Sequence, residues 1–180
     1  MSPGGQMAAE FAEEEAVRGM SLGTFAGSAL FERTFNEGMA LVEETAHYLD
    51  GRGRDESRRL QHQAALVYAG ESMRVTTRLM QAASWLLIQR AVQEGDMSAE
   101  DAAQDRYRLG GREICLGRRE QGLSDMPPKL IDLLERSESI YRRIARLDDV
   151  LFGRETKTEG AQGQLKKLEQ AFGRSETGAR

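Results

Sequence analysis

The chain has 180 residues, of which 39% are hydrophobic and 30% charged, and its net charge is -4. This length predicts about one domain with a core of its own, and the negative charge excludes a bulk attraction to nucleic acid or to an anionic membrane. A single cysteine, Cys115, excludes an internal disulfide framework. The chain lacks both a signal-peptide pattern and an apolar run long enough to span a membrane, so we expect a cytoplasmic protein.

Residues 1–27 are rich in Gly, Ala, Ser and Glu and show no helical periodicity, which predicts a flexible N-terminal extension. Ser28 then fits the N-cap of a first helix. Apolar residues recur along that helix at steps of three or four, which indicates one buried stripe, formed by Phe31, Phe35, Met39, Val42, Ala46 and Leu49. A Gly-rich turn at residues 50–53 ends the helix.

The second predicted helix begins near Asp55 or Ser57 and runs to about Glu94, before Gly95. Its main feature is an unbroken alternation of four-residue and three-residue steps, in which large residues alternate with small ones, at Leu66, Gly70, Met73, Thr77, Met80, Ser84, Leu87 and Ala91. Small residues on such a seam let another backbone come close. A second apolar stripe lies beside this seam, so we expect a central helix that contacts two partners.

The chain after Gly95 is less regular. Ser98 and Asp101 resemble a capping box, which predicts a short helix over about 98–108. We interpret residues 109–125 as a connector.

A third long helix is predicted from an N-cap at Asp125, with two prolines in its first turn, to Gly153. The Gly-rich, charged residues 154–180 are typical of a disordered tail. The resulting fold is an all-α three-helix bundle over residues 28–153, with a long central helix and flexible segments on both sides.

We expect no catalytic, cofactor or metal site. The Glu44-x-x-His47 spacing resembles half of a di-iron motif, but such a site needs two of these motifs and further inward carboxylates. Cys115 lies in a Gly-rich connector with both histidines on other helices, so it lacks the base that cysteine catalysis requires. The protein is therefore expected to act by binding and not as an enzyme.

Two features suggest sites for protein partners. Trp85 lies with Arg78 on a polar side of the second helix, away from the seam, which favours a partner or dimer surface. The alternative is that the third helix covers it. In the tail, Leu165, Leu168 and Phe172 share one side of a short amphipathic segment, which would suit a helix that binds in a groove. The alternative is a tail without a role.

Three stretches of the chain carry a family resemblance. They are LFERTFNEGMALVEETAHYLDG at 30–51, YAGESMRVTTRLMQAASWLL at 68–87 and QRAV at 89–92. Together they resemble the alphaproteobacterial RcdA family, the regulators of CtrA degradation. The resemblance covers about residues 28–152 and is strongest before residue 97.

The resemblance implies a homodimeric three-helix bundle with a mobile tail, acting as an accessory factor of the ClpXP protease. Such an adaptor joins a protease primed by a small response regulator to selected substrates. One of these is a cell-cycle transcription factor, delivered through a cyclic-di-GMP-binding partner. Two alternatives remain at this point, a dimeric helical scaffold that sequesters a protein partner without a protease, and a DNA-associated regulator.

Overall fold

The computed structural model describes residue 12 and residues 15–117 and 126–172, with side chains as far as residue 153. This part of the chain contains helices and no strand. The α-helices, numbered here α1 to α7, are Leu22–Ala26, Ala29–Asp50, Arg52–Ser57, His62–Glu94, Ala99–Ala102, Arg112–Cys115 and Pro128–Phe172, and a 3-10 turn covers Asp105–Tyr107. The predicted all-α class with a long central helix is confirmed.

Helix α4 is the central element, packed against α1, α2 and α7. The core between these helices is built from large aliphatic and aromatic side chains that are almost fully buried, among them Phe31, Leu41, Val75, Leu86, Leu130, Leu134, Ile140 and Ile144. Burial of this apolar surface is the main force that holds a helical bundle together.

Helix α2 begins where the sequence predicts, because the hydroxyl of Ser28 accepts a hydrogen bond from the Phe31 amide at 3.1 Å. Its buried side is rotated from the predicted stripe, however, and consists of Phe31, Thr34, Gly38, Leu41, Thr45 and Tyr48. Gly38 permits this orientation, since a Cβ there would lie 2.7 Å from Leu86 Cδ1. Two threonines and a glycine carry no strong apolar signal, so the sequence pattern favoured the neighbouring side.

The turn between α2 and α4 contains the short helix α3, and α4 starts at His62 instead of at Asp55 or Ser57. A hydrogen bond holds α3 against α2: the Tyr48 hydroxyl donates to the Glu56 carboxylate at 2.8 Å. The end of α4 is as predicted. Gly95 has φ +81°, the left-handed conformation that commonly follows a helix C-terminus.

The prediction of a flexible extension is wrong for residues 15–27. Val17, Phe25 and Ala26 are buried, and Ser21 caps α1. The Phe25 ring lies 5.7 Å from the ring centroid of Phe31 and 6.0 Å from that of Trp85. A five-residue helix is too short to show a period, and its position is held by aromatic contacts with residues of other helices.

The third long helix also differs from the prediction. Helix α7 continues through Gly153 to Phe172, so the residues predicted as the start of a disordered tail are helical. A glycine inside a helix costs only about 1 kcal/mol relative to alanine, and no proline follows it. Gly153 is therefore a weak stop signal. Asp125, which the sequence predicts as the N-cap of α7, and residues 173–180 lie outside the described residues.

Candidate interaction surface

The outward side of α4 exposes large apolar side chains. Leu66, Met73, Met80 and Leu87 are 56%, 71%, 63% and 50% exposed, respectively. They are the large members of the heptad seam, which we call the α4 stripe: Leu66, Gly70, Met73, Thr77, Met80, Ser84, Leu87 and Ala91. The structure therefore places the strongest apolar pattern of the sequence on the surface of the chain and not in its core.

This side of α4 is also uncharged. The exposed residues of α4 between positions 63 and 87 are Gln63, Leu66, Ala69, Gly70, Met73, Thr76, Met80, Ser84 and Leu87. No Lys, Arg, Asp or Glu occurs among them, although 30% of the chain is charged. A long, exposed apolar surface without charges usually marks a place where another protein binds.

An apolar pocket of about 200 Å³ lies beside the stripe, between α2 and α4. Its lining is formed by Val42, Thr45, Ala46, Leu49, Thr76, Leu79, Met80 and Ala83. Met80 belongs both to this lining and to the stripe, so the pocket extends the apolar surface towards α2. The hydroxyl of Thr45 is buried without a hydrogen-bond partner among the described residues.

Trp85 does not belong to this surface. It is 2% exposed, and its indole nitrogen donates a hydrogen bond to Asp148 Oδ1 at 2.9 Å. The prediction that it forms a partner surface is wrong, and the alternative that the third helix covers it is correct. Its polar neighbours in the sequence suggested exposure, but those neighbours are partly buried too, and Arg78 and Gln89 are completely buried.

Arg78 is buried and ties three helices together, so it is not an exposed partner residue either. Its guanidinium donates hydrogen bonds to the carbonyl oxygens of Cys115 at 2.7 Å and Leu134 at 3.2 Å. It also bonds Glu138 at 3.3 Å. A planar guanidinium with five donors suits such a junction, because it binds α6 and α7 while it projects from α4.

The remaining predicted partner residues, Leu165, Leu168 and Phe172, lie on the helical part of α7 beyond residue 153. Their side chains are outside the described residues, so their role stays a prediction.

Polar contacts hold residues 108–117 against α4 and α7. Arg74 donates to the carbonyl oxygens of Ile114 and Gly117 at 3.2 and 3.3 Å. Asp148 accepts from Arg108 at 2.9 Å and from Arg112 at 3.3 Å. The sequence did not reveal these pairs, because their members are 36 to 43 positions apart and follow no motif.

The ionisable groups in this region stabilise the fold. Burial raises the pKa of the Cys115 thiol, which keeps it protonated and weakly nucleophilic. Within the described ranges, no group of three or more His, Cys, Asp or Glu residues is placed to hold a metal ion. None of the helices described there is long and apolar enough to cross a membrane.

Comparison with known proteins agrees with this fold. A family model described as a protein of unknown function, DUF1465, matches residues 22–172. The crystal structure of RcdA from Caulobacter crescentus CB15 is 52% identical in sequence, with a TM-score of 0.60, and the match covers 72% of this chain and 97% of that one. The chain belongs to the RcdA family. No curated protein matches it.

The extent of the RcdA family match changes the boundaries drawn from sequence. It begins at residue 22, the first residue of α1, and ends at residue 172, the last residue of α7. The family region thus includes both the short N-terminal helix and the long extension of α7, which the resemblance over residues 28–152 left out.

Proposed function

We propose that this protein is a non-enzymatic, homodimeric, cytoplasmic adaptor that helps deliver selected substrates to the ClpXP protease. The observation that carries the proposal is the 52% identity to RcdA over 97% of that chain. Members of a family at this level of identity commonly share their partners. ATP hydrolysis and peptide cleavage would belong to the protease, and this chain would contribute binding energy only.

The shape of the protein supports such a role. The bundle offers a rigid body, and the α4 stripe offers an apolar surface that the described residues leave uncovered. Helix α7 continues for 19 residues after Gly153, a length of about 28 Å at 1.5 Å per residue. An arm of this kind can raise the local concentration of a bound partner near the bundle.

The partners we propose follow from the family. They are ClpXP primed by a small response regulator, a cyclic-di-GMP-binding adaptor and protein substrates that include a cell-cycle transcription factor. Nucleic acid is a poorer candidate, because the exposed residues of α4 between positions 63 and 87 include no basic side chain.

The test is the degradation of a candidate substrate by purified ClpXP with its priming regulator and the cyclic-di-GMP-binding adaptor. Three reactions are compared: one contains the full chain, one contains a chain cut after Gly153, and one contains neither. The cut retains Phe152, which is 3% exposed and part of the core, so we expect the helical content of the bundle to survive, and circular dichroism would check this.

We expect the full chain to accelerate loss of the substrate and the cut chain to lose that effect, which would assign partner binding to the α7 extension and to Leu165, Leu168 and Phe172. Acceleration that survives the cut would move partner binding to the bundle. Unchanged degradation of every substrate tried would contradict the adaptor role and favour the sequestering scaffold.

A further inference from the structure

A groove at one end of the bundle is built by three segments that are distant in the sequence. It has a volume of about 460 Å³, and its walls come from α1 and the turn before it, from α5, and from α7 just before Gly153. We call it the α5 groove. Its lining is formed by Met20, Ser21, Leu22, Ala99, Glu100, Ala103, Leu151 and Phe152. The α4 stripe contributes no residue to this lining, so the groove is a separate surface.

The walls of the α5 groove are held in place by local contacts. The Ser98 hydroxyl accepts a hydrogen bond from the Asp101 amide at 3.0 Å and thereby caps α5. The Ser21 hydroxyl does the same for α1, accepting from the Thr24 amide at 3.2 Å. On the α7 side, the Arg108 guanidinium lies 4.7 Å from the centroid of the Phe152 ring. A groove that is formed in advance loses less conformational entropy when it binds a partner.

The lining is mostly apolar, but the segment that supplies the α5 wall is strongly acidic. Residues 91–105 include no Lys or Arg, although the chain has 25 of them. The same segment carries five exposed acidic residues, namely Glu94, Asp96, Glu100, Asp101 and Asp105. The α5 groove therefore combines an apolar floor with a negatively charged side.

Most of this negative charge is not neutralised. Asp101 is engaged by Ser98 at 2.6 Å and Gln104 at 3.0 Å, but the other four carboxylates form no ion pair within the described part of the chain. The nearest cations in the sequence are used elsewhere. Arg90 pairs with Glu32 at 2.9 Å and Arg108 with Asp148 at 2.9 Å.

We propose that the α5 groove binds a segment of a protein partner in which an apolar side chain is flanked by Lys or Arg. The apolar side chain would enter between Leu22, Ala103 and Phe152, and the flanking cations would lie along the acidic side beside Glu100. Apolar burial would supply affinity, while the complementary charges would select the segment and accelerate its association. The proposal rests on the proposed function, because it names the chemistry of one partner of the adaptor.

Other occupants fit this groove less well. Nucleic acid and anionic lipid would be repelled by the five carboxylates. Within the described residues the acids are not grouped to hold a metal ion, so their charge is spread along a surface and suits a basic segment better than a single cation. The N-terminal residues of this chain are also acidic, with Glu10, Glu13, Glu14 and Glu15, and like charges would keep them away.

Selection from a phage-displayed library of random linear peptides on the full-length protein tests the chemistry of the occupant. We expect the enriched peptides to combine Leu, Met or Phe with neighbouring Lys or Arg. The most enriched peptide is then synthesised, and its affinity is measured by fluorescence anisotropy. A selection that enriches nothing, or peptides without basic residues, would overturn the proposal.

Ala99→Trp tests the place of binding, because the larger side chain fills the groove from an exposed position of α5. We expect it to weaken binding of the selected peptide by at least about tenfold, with unchanged helical content by circular dichroism. Unchanged affinity would show that the peptide binds elsewhere and would also overturn the proposal.

The double variant Asp96→Lys/Glu100→Lys tests the role of charge. We expect it to weaken binding by about tenfold or more and to reduce the loss of affinity on raising NaCl from about 50 to about 500 mM. A second peptide with Glu in place of each Lys and Arg should bind this variant better than it binds wild type. Glu43→Lys, at an exposed position of α2, is the matched control and should bind like wild type. Equal affinities in wild type and the double variant would reject the complementary charge.

These results are distinguishable from a failure of the proposed adaptor. Peptide binding requires no protease, so a peptide that binds in the α5 groove together with unchanged degradation would reject the proteolytic role alone. Accelerated degradation together with a selection that enriches no basic peptide would reject the groove alone.

Discussion

The two sides of α4 differ in which residues they bury and which they expose. The inward side buries polar and charged residues, including Glu71, Arg78 and Gln89. The outward side exposes Leu66, Met73, Met80 and Leu87. A helix that is apolar over a wide arc has two surfaces to cover, and the described residues cover only one of them. The regular apolar seam lies on the exposed side of α4, while the inward side is less regular and includes specific polar contacts.

The largest effect on stability should come from a substitution on the inward side of α4. Trp85→Ala removes the contact with the Phe25 ring and the hydrogen bond to Asp148, and we expect a loss of about 3–5 kcal/mol in the free energy of unfolding. Urea denaturation would measure it. Leu87→Ala, a truncation on the outward side, should change the unfolding of the monomer by less than about 0.5 kcal/mol. Equal losses in the two variants would remove the distinction between the sides.

Arg78→Ala should have the second-largest effect on the free energy of unfolding. It leaves the buried carbonyl oxygens of Cys115 and Leu134 without this donor, which we expect to cost about 2 kcal/mol of unfolding free energy. Hydrogen exchange should show the loss first in α6, because Arg78 holds that helix to α4. Arg33→Ala, at an exposed position of α2, is the control and should be nearly neutral. An undisturbed α6 in the Arg78 variant would contradict the proposed junction.

A matched pair of glycines sharpens the comparison. Gly38→Ala places a Cβ 2.7 Å from Leu86 Cδ1 and 3.2 Å from Ile140 Cδ1, so we expect a destabilisation of about 1–3 kcal/mol. Gly70→Ala, the same change on the outward side, should stabilise the monomer by up to about 1 kcal/mol through better helix propensity. Melting temperatures at low protein concentration would show the two signs. Effects of the same sign would mean that Gly70 is not in open space.

The smallest effect should come from the ion pairs between α2 and α7. Hydrogen bonds from Arg136 and Lys129 lower the pKa of Glu44 from 4.5 to about 2. A carboxylate with a lowered pKa in the folded state stabilises the fold above pH 4.5, and this contribution is lost as the pH falls towards 2. Because Glu44 is about one-third exposed, we expect less than about 1 kcal/mol.

The control for this prediction is Glu44→Gln, which should flatten the pH dependence of the melting temperature between pH 4.5 and 2. An identical profile in wild type and variant would show that the pairs contribute nothing to the fold.

Local signals in the sequence were sufficient to predict several features of the fold. Ser28 and Gly95 mark helix ends because their effects depend on adjacent backbone groups, a hydroxyl that accepts an amide and a left-handed φ. The spacing of the apolar residues predicted the all-α class and the long α4. The motif at 68–87 indicated the RcdA family, and the comparison confirms it.

The tertiary structure alone decided which side of α4 faces inward. Hydrophobicity shows that a side chain prefers burial, but it does not show which surface provides it. Trp85 and Arg78 were misplaced for this reason, since their partners Asp148, Cys115 and Leu134 are 37 to 63 positions away. The order of α1 likewise depends on Phe31 and Trp85, which lie on other helices. The sequence by itself determined the all-α class, the long central helix and the family, and long-range contacts determined which residues hold the bundle together and which are exposed.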